Sequence, residues 1–163
     1  MNKQNITPFF WFEDQAEEAA NYYVSFFPNS KINNIVKYPE AAEEVSGKKA
    51  GSVMTVDFTL NGMDFAALNG GNPGPGFSLA SSSAISFVVN CETQEEIDMY
   101  WGKLSAVPEA EQCGWCKDRF GITWQIVPTV LNELLAGPKA EAVTACFIKM
   151  KKFDIATLKE AAK

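Results

Sequence analysis

Histidine is absent from this 163-residue chain, and arginine occurs once, at Arg119, against thirteen lysines. The missing histidine excludes histidine general bases, histidine-assisted serine or cysteine nucleophiles, and every metal site that uses a histidine ligand. The formal net charge is −6. A surface that follows nucleic-acid phosphates needs clustered arginine and lysine, so no nucleic-acid partner is expected.

Long apolar runs are also missing. No segment approaches the ~20 consecutive apolar residues that a membrane-spanning helix requires, so no membrane partner is expected. The first residues lead into a short apolar run without a cleavage-site pattern, and we expect no signal peptide. Four cysteines in a chain without an export signal predict reduced thiols and a cytoplasmic location.

The sequence contains an internal repeat. Residues 9–23 align without a gap on residues 87–101, at an offset of 78. Each copy has the pattern of a strand followed by a helix, and Asp14 and Thr93 are the predicted N-caps of the two helices.

A second alignment, at an offset of 59, matches Gly62–Leu68 with Gly121–Val127. Asn61 and Gly62 form a strong hairpin signal before the first of these strands. The smaller offset means that the second copy has lost about 20 residues, and we assign the loss to the segment corresponding to Ile32–Gly51.

The repeat predicts an α+β fold with about eight strands and two main helices. Its two modules cover about residues 5–69 and 84–128, which together form one domain over 1–128. Beyond Pro128 the pattern becomes helical. We expect residues 129–163 to be a C-terminal helical extension of the same domain.

Several segments resemble the PhnB-like branch of the glyoxalase/bleomycin resistance/dioxygenase superfamily, also called the vicinal oxygen chelate (VOC) superfamily. They are Ile6–Phe12, Asn61-Gly62, Ala67–Gly71, Ile85–Cys91 and Trp124–Pro128. The resemblance covers about residues 5–128. It implies paired βαβββ modules whose sheets curl around a shared cleft, often in a dimer, and we therefore expect a homodimer.

The branch is often labelled a 3-demethylubiquinone-9 3-methyltransferase domain. A methyl-transfer cofactor would need a glycine-rich turn that leads from a strand into a helix. The glycine-rich run Gly70–Gly76 follows a predicted strand, but Pro73 and Pro75 prevent a helix there. We expect a loop, and no cofactor.

Enzymes of the superfamily usually hold a divalent metal through four His or Glu residues on strands of both modules. The resemblance and the repeat place those positions on Ile6, Ala66, Ala84 and Gln125. Three of them carry no donor atom, and a lone amide oxygen is a poor ligand for a transition metal. The sequence therefore predicts that the metal site has been lost.

Strand alternation assigns side chains to the cleft or to the core beneath the helices. The predicted cleft face holds Phe10, Phe12, Thr55, Asp57, Thr59, Ala66, Leu68, Ser86, Val88, Asn90, Thr123 and Gln125. The predicted core face holds Phe9, Trp11, Met54, Val56, Phe58, Phe65, Phe87, Val89, Trp124 and Ile126. An apolar wall with a few polar groups is typical of a small-molecule site.

The sequence thus favours metal-free binding of a small, largely apolar or aromatic molecule in that cleft, contacted by Phe10, Phe12, Thr55, Ser86, Thr123 and Gln125. Whether the protein is an enzyme stays open; if it is one, it is metal-independent and Asp57 is the candidate general base. Three alternatives remain: a metal-dependent lyase, isomerase or dioxygenase, the methyltransferase of the family label, and an interaction module whose cleft is filled by its own residues.

One further motif is Cys113-Gly114-Trp115-Cys116. Redox pairs with this spacing sit at the start of a helix. Here the alignment places them along a strand, where residues three apart lie ~10 Å from each other and point to opposite faces. A redox function is not favoured.

Overall fold

The computed structural model describes residues 7–72 and 85–163. The chain divides into two compact units, Met1–Ser78 and Leu79–Lys163. Unit 1 contains β1 (Phe9–Phe12), α1 (Ala16–Val24), β2 (Lys31–Lys37), α2 (Glu43–Ser46), β3 (Val53–Leu60) and β4 (Met63–Asn69). Unit 2 contains β5 (Phe87–Cys91), α3 (Gln94–Leu104), β6 (Trp115–Lys117), β7 (Thr123–Pro128), α4 (Val130–Ala136), α5 (Ala140–Phe147) and α6 (Ile155–Ala161).

The sheet of unit 1 has the strand order β1-β4-β3-β2, with β1 parallel to β4 and the other pairs antiparallel. The predicted hairpin turn joins β3 to β4. Asn61 and Gly62 adopt φ angles of 47° and 81°, which is the backbone that a two-residue type I′ turn requires. Unit 1 is therefore the predicted βαβββ module.

Helix α1 packs on one face of this sheet through small residues. Ala16, Ala19 and Ala20 are fully buried, and their lack of bulk lets the helix backbone approach the strands closely. Beneath them Phe10 contacts Tyr23, Phe58 and Phe65, with ring centroids 5.6–6.5 Å apart. This aromatic cluster is the core of unit 1, and tilted or edge-on ring contacts of this kind stabilise beyond the buried area alone.

The start of α1 differs from the prediction. Its N-cap is Gln15 rather than Asp14, and Gln15 makes no capping bond through its side chain. The cap is supplied from the end of β4 instead, because Asn69 Oδ1 accepts a 2.7 Å hydrogen bond from the Ala16 N–H. Asn69 is buried, and its Nδ2 donates to the Val53 carbonyl at 3.1 Å. One amide thus joins α1, β3 and β4.

Unit 2 is the shorter copy. Its sheet has the order β5-β7-β6, with β5 parallel to β7 and β6 antiparallel to it. Among the described residues it has no counterpart of β2, so the second of the two predicted modules is the shortened copy, with the element order βαββ. The described strands number seven rather than eight. The lost segment is the one that the change of offset indicated.

Helix α3 begins as predicted. Thr93 is its N-cap in a complete capping box with Glu96, which satisfies two backbone N–H groups at once. Ile97, Tyr100 and Leu104 are its buried residues. They cover the sheet face that carries Trp124.

The C-terminal helices belong to unit 2. The connection from α5 to α6 docks on the turn before β6: Cys113 N–H donates to the Met150 carbonyl and Gly114 N–H to the Lys151 carbonyl, both at 2.8 Å. Phe153 is 2% exposed and lies against Gly114, where a β-carbon would meet its ring at 2.4 Å. No helix within residues 7–72 and 85–163 is long and apolar enough to cross a membrane.

Candidate functional site

Strand β1 presents the opposite face from the one predicted. Phe10 and Phe12, expected in the cleft, are 5% and 4% exposed, and Phe10 packs against Tyr23 of α1. Phe9, expected in the core, is 56% exposed. The aromatic side chains that face away from α1 are therefore Phe9 and Trp11.

The strand pairing explains the error. Phe9 pairs with Ala66 in unit 1, and Val88 pairs with Gln125 in unit 2. Since Ala66 and Gln125 correspond to each other at the offset of 59, Phe9 corresponds to Val88, an offset of 79 rather than 78. The gapless alignment was one residue out across β1, and a one-residue slip exchanges the two faces of a strand.

The faces assigned to β3 and β4 agree with the structure. Val56 and Phe58 are fully buried with the core, while Thr55 and Asp57 are half-buried on the other face. Asp57 pairs with Ala66, and Thr55 with Leu68. Asp57 Oδ2 accepts a long 3.4 Å hydrogen bond from Asn34 Nδ2 on β2. The expected proximity of Asp57 to Phe10 and Phe12 is wrong, because these rings lie on the opposite face of the sheet.

Unit 2 brings three of the predicted ligand-binding residues onto one face, turned away from α3. Gln125 Nε2 donates a 2.8 Å hydrogen bond to Ser86 Oγ across β5 and β7. Thr123 lies two residues before Gln125 and so faces the same way. It is 8% exposed, and its Oγ1 is buried with no hydrogen-bond partner in the described part of the chain.

A buried hydroxyl without a partner costs roughly 1–3 kcal/mol, because it has lost its hydrogen bonds to water and gained none in return. Folded proteins retain few such groups, and each calls for an explanation. Thr123 is therefore the residue on this face whose buried hydroxyl has no hydrogen-bond partner in the described part of the chain.

The metal positions do not form a donor set. Ala66 is an alanine on the face turned away from α1, and the Gln125 amide is bonded to Ser86. The other two predicted positions, Ile6 and Ala84, lie outside the described residues. No group of three or more Cys, Asp or Glu side chains that could hold a metal occurs in the described ranges.

The glycine-rich run after β4 is described as far as Asn72, and the remainder of Gly70–Gly76 lies outside the described residues. Gly70 packs flat on the indole of Trp11, where a β-carbon would fall 2.2 Å from the ring. Trp11 Nε1 also donates a 2.9 Å hydrogen bond to the Gly71 carbonyl. In the described part these glycines hold the tryptophan, and no helix begins there to receive a methyl-transfer cofactor.

A small cavity of about 230 Å³ in unit 1 was missed by the sequence argument. It lies at the start of α1 and is lined by Asp14, Glu17, Lys48, Ser52, Val53 and Asn69. Lys48 Nζ donates a 2.6 Å hydrogen bond to the Glu13 carbonyl. These residues are far apart in sequence, and the contacts of Asn69 and Lys48 bring them together.

The first half of the cysteine motif forms a turn, and its second half, Trp115 and Cys116, begins β6. Cys113 and Gly114 have φ angles of 50° and 81°, and Gln112 and Trp115 form a two-way hydrogen-bonded bridge around them. All four cysteines are free. Burial raises the pKa of Cys116 to about 12, with Asp118 and Glu111 adding to the effect, so this thiol is not an activated nucleophile.

Each unit, a sheet backed by one helix with its first and last strands parallel, has the module architecture of the VOC fold, and solved structures agree. The PhnB protein from Bacillus cereus is similar with a TM-score of 0.62 and 35% identity, over 77% of this chain and 100% of that one. Protein PA1353 from Pseudomonas aeruginosa is similar in fold, with a TM-score of 0.53 and 16% identity over 77% of this chain and 98% of that one. A search of curated proteins gives no match.

These likenesses define an α+β protein of the VOC fold. More specifically, residues 4–127 match the profile of the 3-demethylubiquinone-9 3-methyltransferase family, and the chain belongs to this PhnB-like family.

Proposed function

We propose that this chain binds a small, largely apolar or aromatic molecule without a metal ion, on the sheet faces turned away from α1 and α3. The observation that carries the proposal is the buried, unpartnered hydroxyl of Thr123 on the same face as Gln125 and Ser86. A bound ligand that satisfies this hydroxyl would offset the cost of burying it.

On unit 1, the face turned away from α1 is suited to an apolar or aromatic ligand. Phe9 and Trp11 lie on the face expected for Phe10 and Phe12, and Leu68 pairs with Trp11 on the same face. The indole of Trp11 is fixed by its bond to Gly71. A ring that is already held in place loses little conformational freedom on binding, which favours affinity.

The same face of unit 1 also carries an acidic group, Asp57. It is a half-buried carboxylate on the face that carries Trp11 and Leu68. We propose that Asp57 and Thr55 accept or donate hydrogen bonds to the ligand, and that Asp57 is the general base if the protein catalyses a reaction. The metal-dependent, methyltransferase and interaction-module alternatives are less well supported, because no observation in the described residues favours any of them.

The Asp57→Asn variant tests the role of this carboxylate. Small aromatic fragments that carry a hydrogen-bond donor, such as phenol and aniline, would be titrated while ligand-induced NMR shifts are followed. We expect Asp57→Asn to weaken the best fragment about tenfold, a loss of ~1.4 kcal/mol. The matched control is Asp64→Asn, an exposed carboxylate beside the β3–β4 turn. If the two variants bound the fragment with equal affinity, Asp57 would not be part of the binding site.

A further inference from the structure

The orientation of the Gln125 amide limits what can bind beside it. Its Nε2 uses one of its two N–H groups to donate to Ser86 Oγ at 2.8 Å, so the second N–H and the amide oxygen Oε1 are left to interact with a ligand. An amide oxygen accepts hydrogen bonds and cannot donate them. Ser86 Oγ uses a lone pair in the same contact, and its own proton remains able to donate.

Thr123 adds a second hydroxyl to the same face. It is more than nine-tenths buried and has no partner in the described residues. A hydroxyl can donate one hydrogen bond and accept others. Gln125, Ser86 and Thr123 thus combine an amide oxygen that can only accept, Gln125 Oε1, with an amide N–H and two hydroxyls that can donate.

The charges on this face are few. Among the described residues, those of the strands and their ends that turn away from α3 include no aspartate or glutamate; they are Ser86, Val88, Asn90, Trp115, Lys117, Thr123, Gln125 and Val127. Lys117 pairs with Thr123 on the edge strand β6. Val88, which pairs with Gln125, is 51% exposed and adds an apolar contact beside the amide.

We infer that unit 2 recognises an uncharged group that donates and accepts a hydrogen bond at adjacent atoms, a carboxamide on an apolar or aromatic body, in preference to the corresponding carboxylate. This inference rests on the proposed small-molecule function. A carboxamide N–H can donate a hydrogen bond to Gln125 Oε1, and the carboxamide carbonyl can accept one from the Thr123 or Ser86 hydroxyl. A carboxylate has no proton to donate and would place a negative oxygen against Oε1.

Benzamide and benzoate form a matched pair of probes, because they share size and shape and differ in this one group. Toluene is the third probe and has no hydrogen-bonding group. All three would be titrated into the full chain while the side-chain amide resonance of Gln125 is followed, identified by its loss in Gln125→Leu. We expect benzamide to bind at least tenfold more tightly than benzoate and to shift that resonance.

Variants of threonine test the hydroxyl. Thr123→Val keeps the shape and removes the buried hydroxyl, so we expect at least fivefold weaker benzamide binding with an unchanged or raised Tm. A purely structural hydroxyl would lower the Tm instead. The control is Thr144→Val on α5, whose hydroxyl is bonded to the Ala140 carbonyl, and benzamide affinity should not change there.

The outcomes separate the two proposals. If benzoate binds as tightly as benzamide or more tightly, Lys117 directs recognition; the carboxamide inference is then wrong and the small-molecule site stands. The inference is also wrong if Thr123→Val binds benzamide like the unaltered protein. If none of the three probes binds at millimolar concentration, both proposals are overturned.

Discussion

Two buried polar residues close together in unit 2 behave in opposite ways. Asp118 is 1% exposed, and its carboxylate accepts hydrogen bonds from the Phe120 and Ile122 backbone and from Trp124 Nε1, at 2.7–3.0 Å. Thr123, on the strand that follows, has a buried hydroxyl with no such partner in the described residues. The fold therefore satisfies the costlier charged group and leaves the hydroxyl without a partner, which indicates a structural role for Asp118; the binding role of Thr123 stays a proposal.

The buried thiols of two cysteine residues predict how the stability of the folded protein depends on pH. Burial raises the pKa of Cys91 and of Cys116 to about 12, whereas a thiol in an unfolded chain ionises near ~8.5. The unfolded state therefore releases these protons first. The stabilisation is complete below about pH 8.5 and is lost progressively as the pH rises toward 12.

We accordingly expect the free energy of unfolding, measured in urea, to fall from pH 8.5 to 11. The fall should be smaller in a Cys91→Ala/Cys116→Ala variant, in which neither group can ionise. Slopes rather than absolute values are compared, because the substitutions themselves leave small cavities. Cys146→Ala is the control, and a double variant with the slope of the unaltered protein would contradict the assignment.

Among the elements, β1 shows where sequence reasoning succeeds and where it fails. The order of strands and helices, the Asn61-Gly62 turn and the Thr93 cap are local signals, and the sequence predicts them correctly. The facing of β1 is not local. Its four residues, Phe9–Phe12, are all aromatic, so they show no alternation of apolar and polar side chains. The buried face of β1 could be predicted only from the internal repeat, and the repeat alignment was displaced there by one residue.

The candidate site residues also divide into those that local sequence signals predict and those that depend on contacts distant in sequence. Asp57 lies on a strand with clear alternation, and Gln125 follows a turn glycine, so their faces could be predicted. The Asn69 cap joins residues 53 positions apart in sequence, and no periodicity signals such a contact. The buried state of Thr123 also depends on packing rather than on pattern.

The corrected β1 register makes a paired prediction. Phe10→Ala removes a core ring and should destabilise the protein by about 3–5 kcal/mol. Phe9→Ala removes a ring that is 56% exposed; it should cost less than ~1 kcal/mol while weakening binding of aromatic fragments. Urea unfolding and fragment titration of both variants check this. If Phe9→Ala destabilised the protein more than Phe10→Ala, the face of β1 predicted from the sequence would be the correct one.

The docking of the C-terminal segment depends on one glycine. Gly114 has φ +81°, and a β-carbon there would lie 2.4 Å from the Phe153 ring and 2.8 Å from the Ile126 carbonyl. We expect Gly114→Ala to destabilise by roughly 3 kcal/mol or more, from backbone strain and this overlap. Gly102→Ala on α3 is the matched control; it has open space around it and should stabilise by about 0.5–1 kcal/mol.

At the scale of the whole molecule, assembly remains a prediction. Proteins of the VOC fold are commonly dimers, and this chain exposes the apolar side chains Ile35, Val36 and Ile148. Strand β2 is the last strand of its sheet, and an uncovered edge strand can pair with another chain. We expect sedimentation velocity at micromolar concentration to show a dimer; a monomer that persists as concentration rises would contradict this.

The central claim is that this VOC-fold chain binds its ligand without a metal. Native mass spectrometry of protein purified without chelator, recorded before and after addition of benzamide, tests it most directly. Because Ala66 and the Ser86-bonded Gln125 cannot form a metal site, we predict no stoichiometric divalent metal and one added benzamide for each chain. A stoichiometric metal whose removal abolishes benzamide binding would contradict the account.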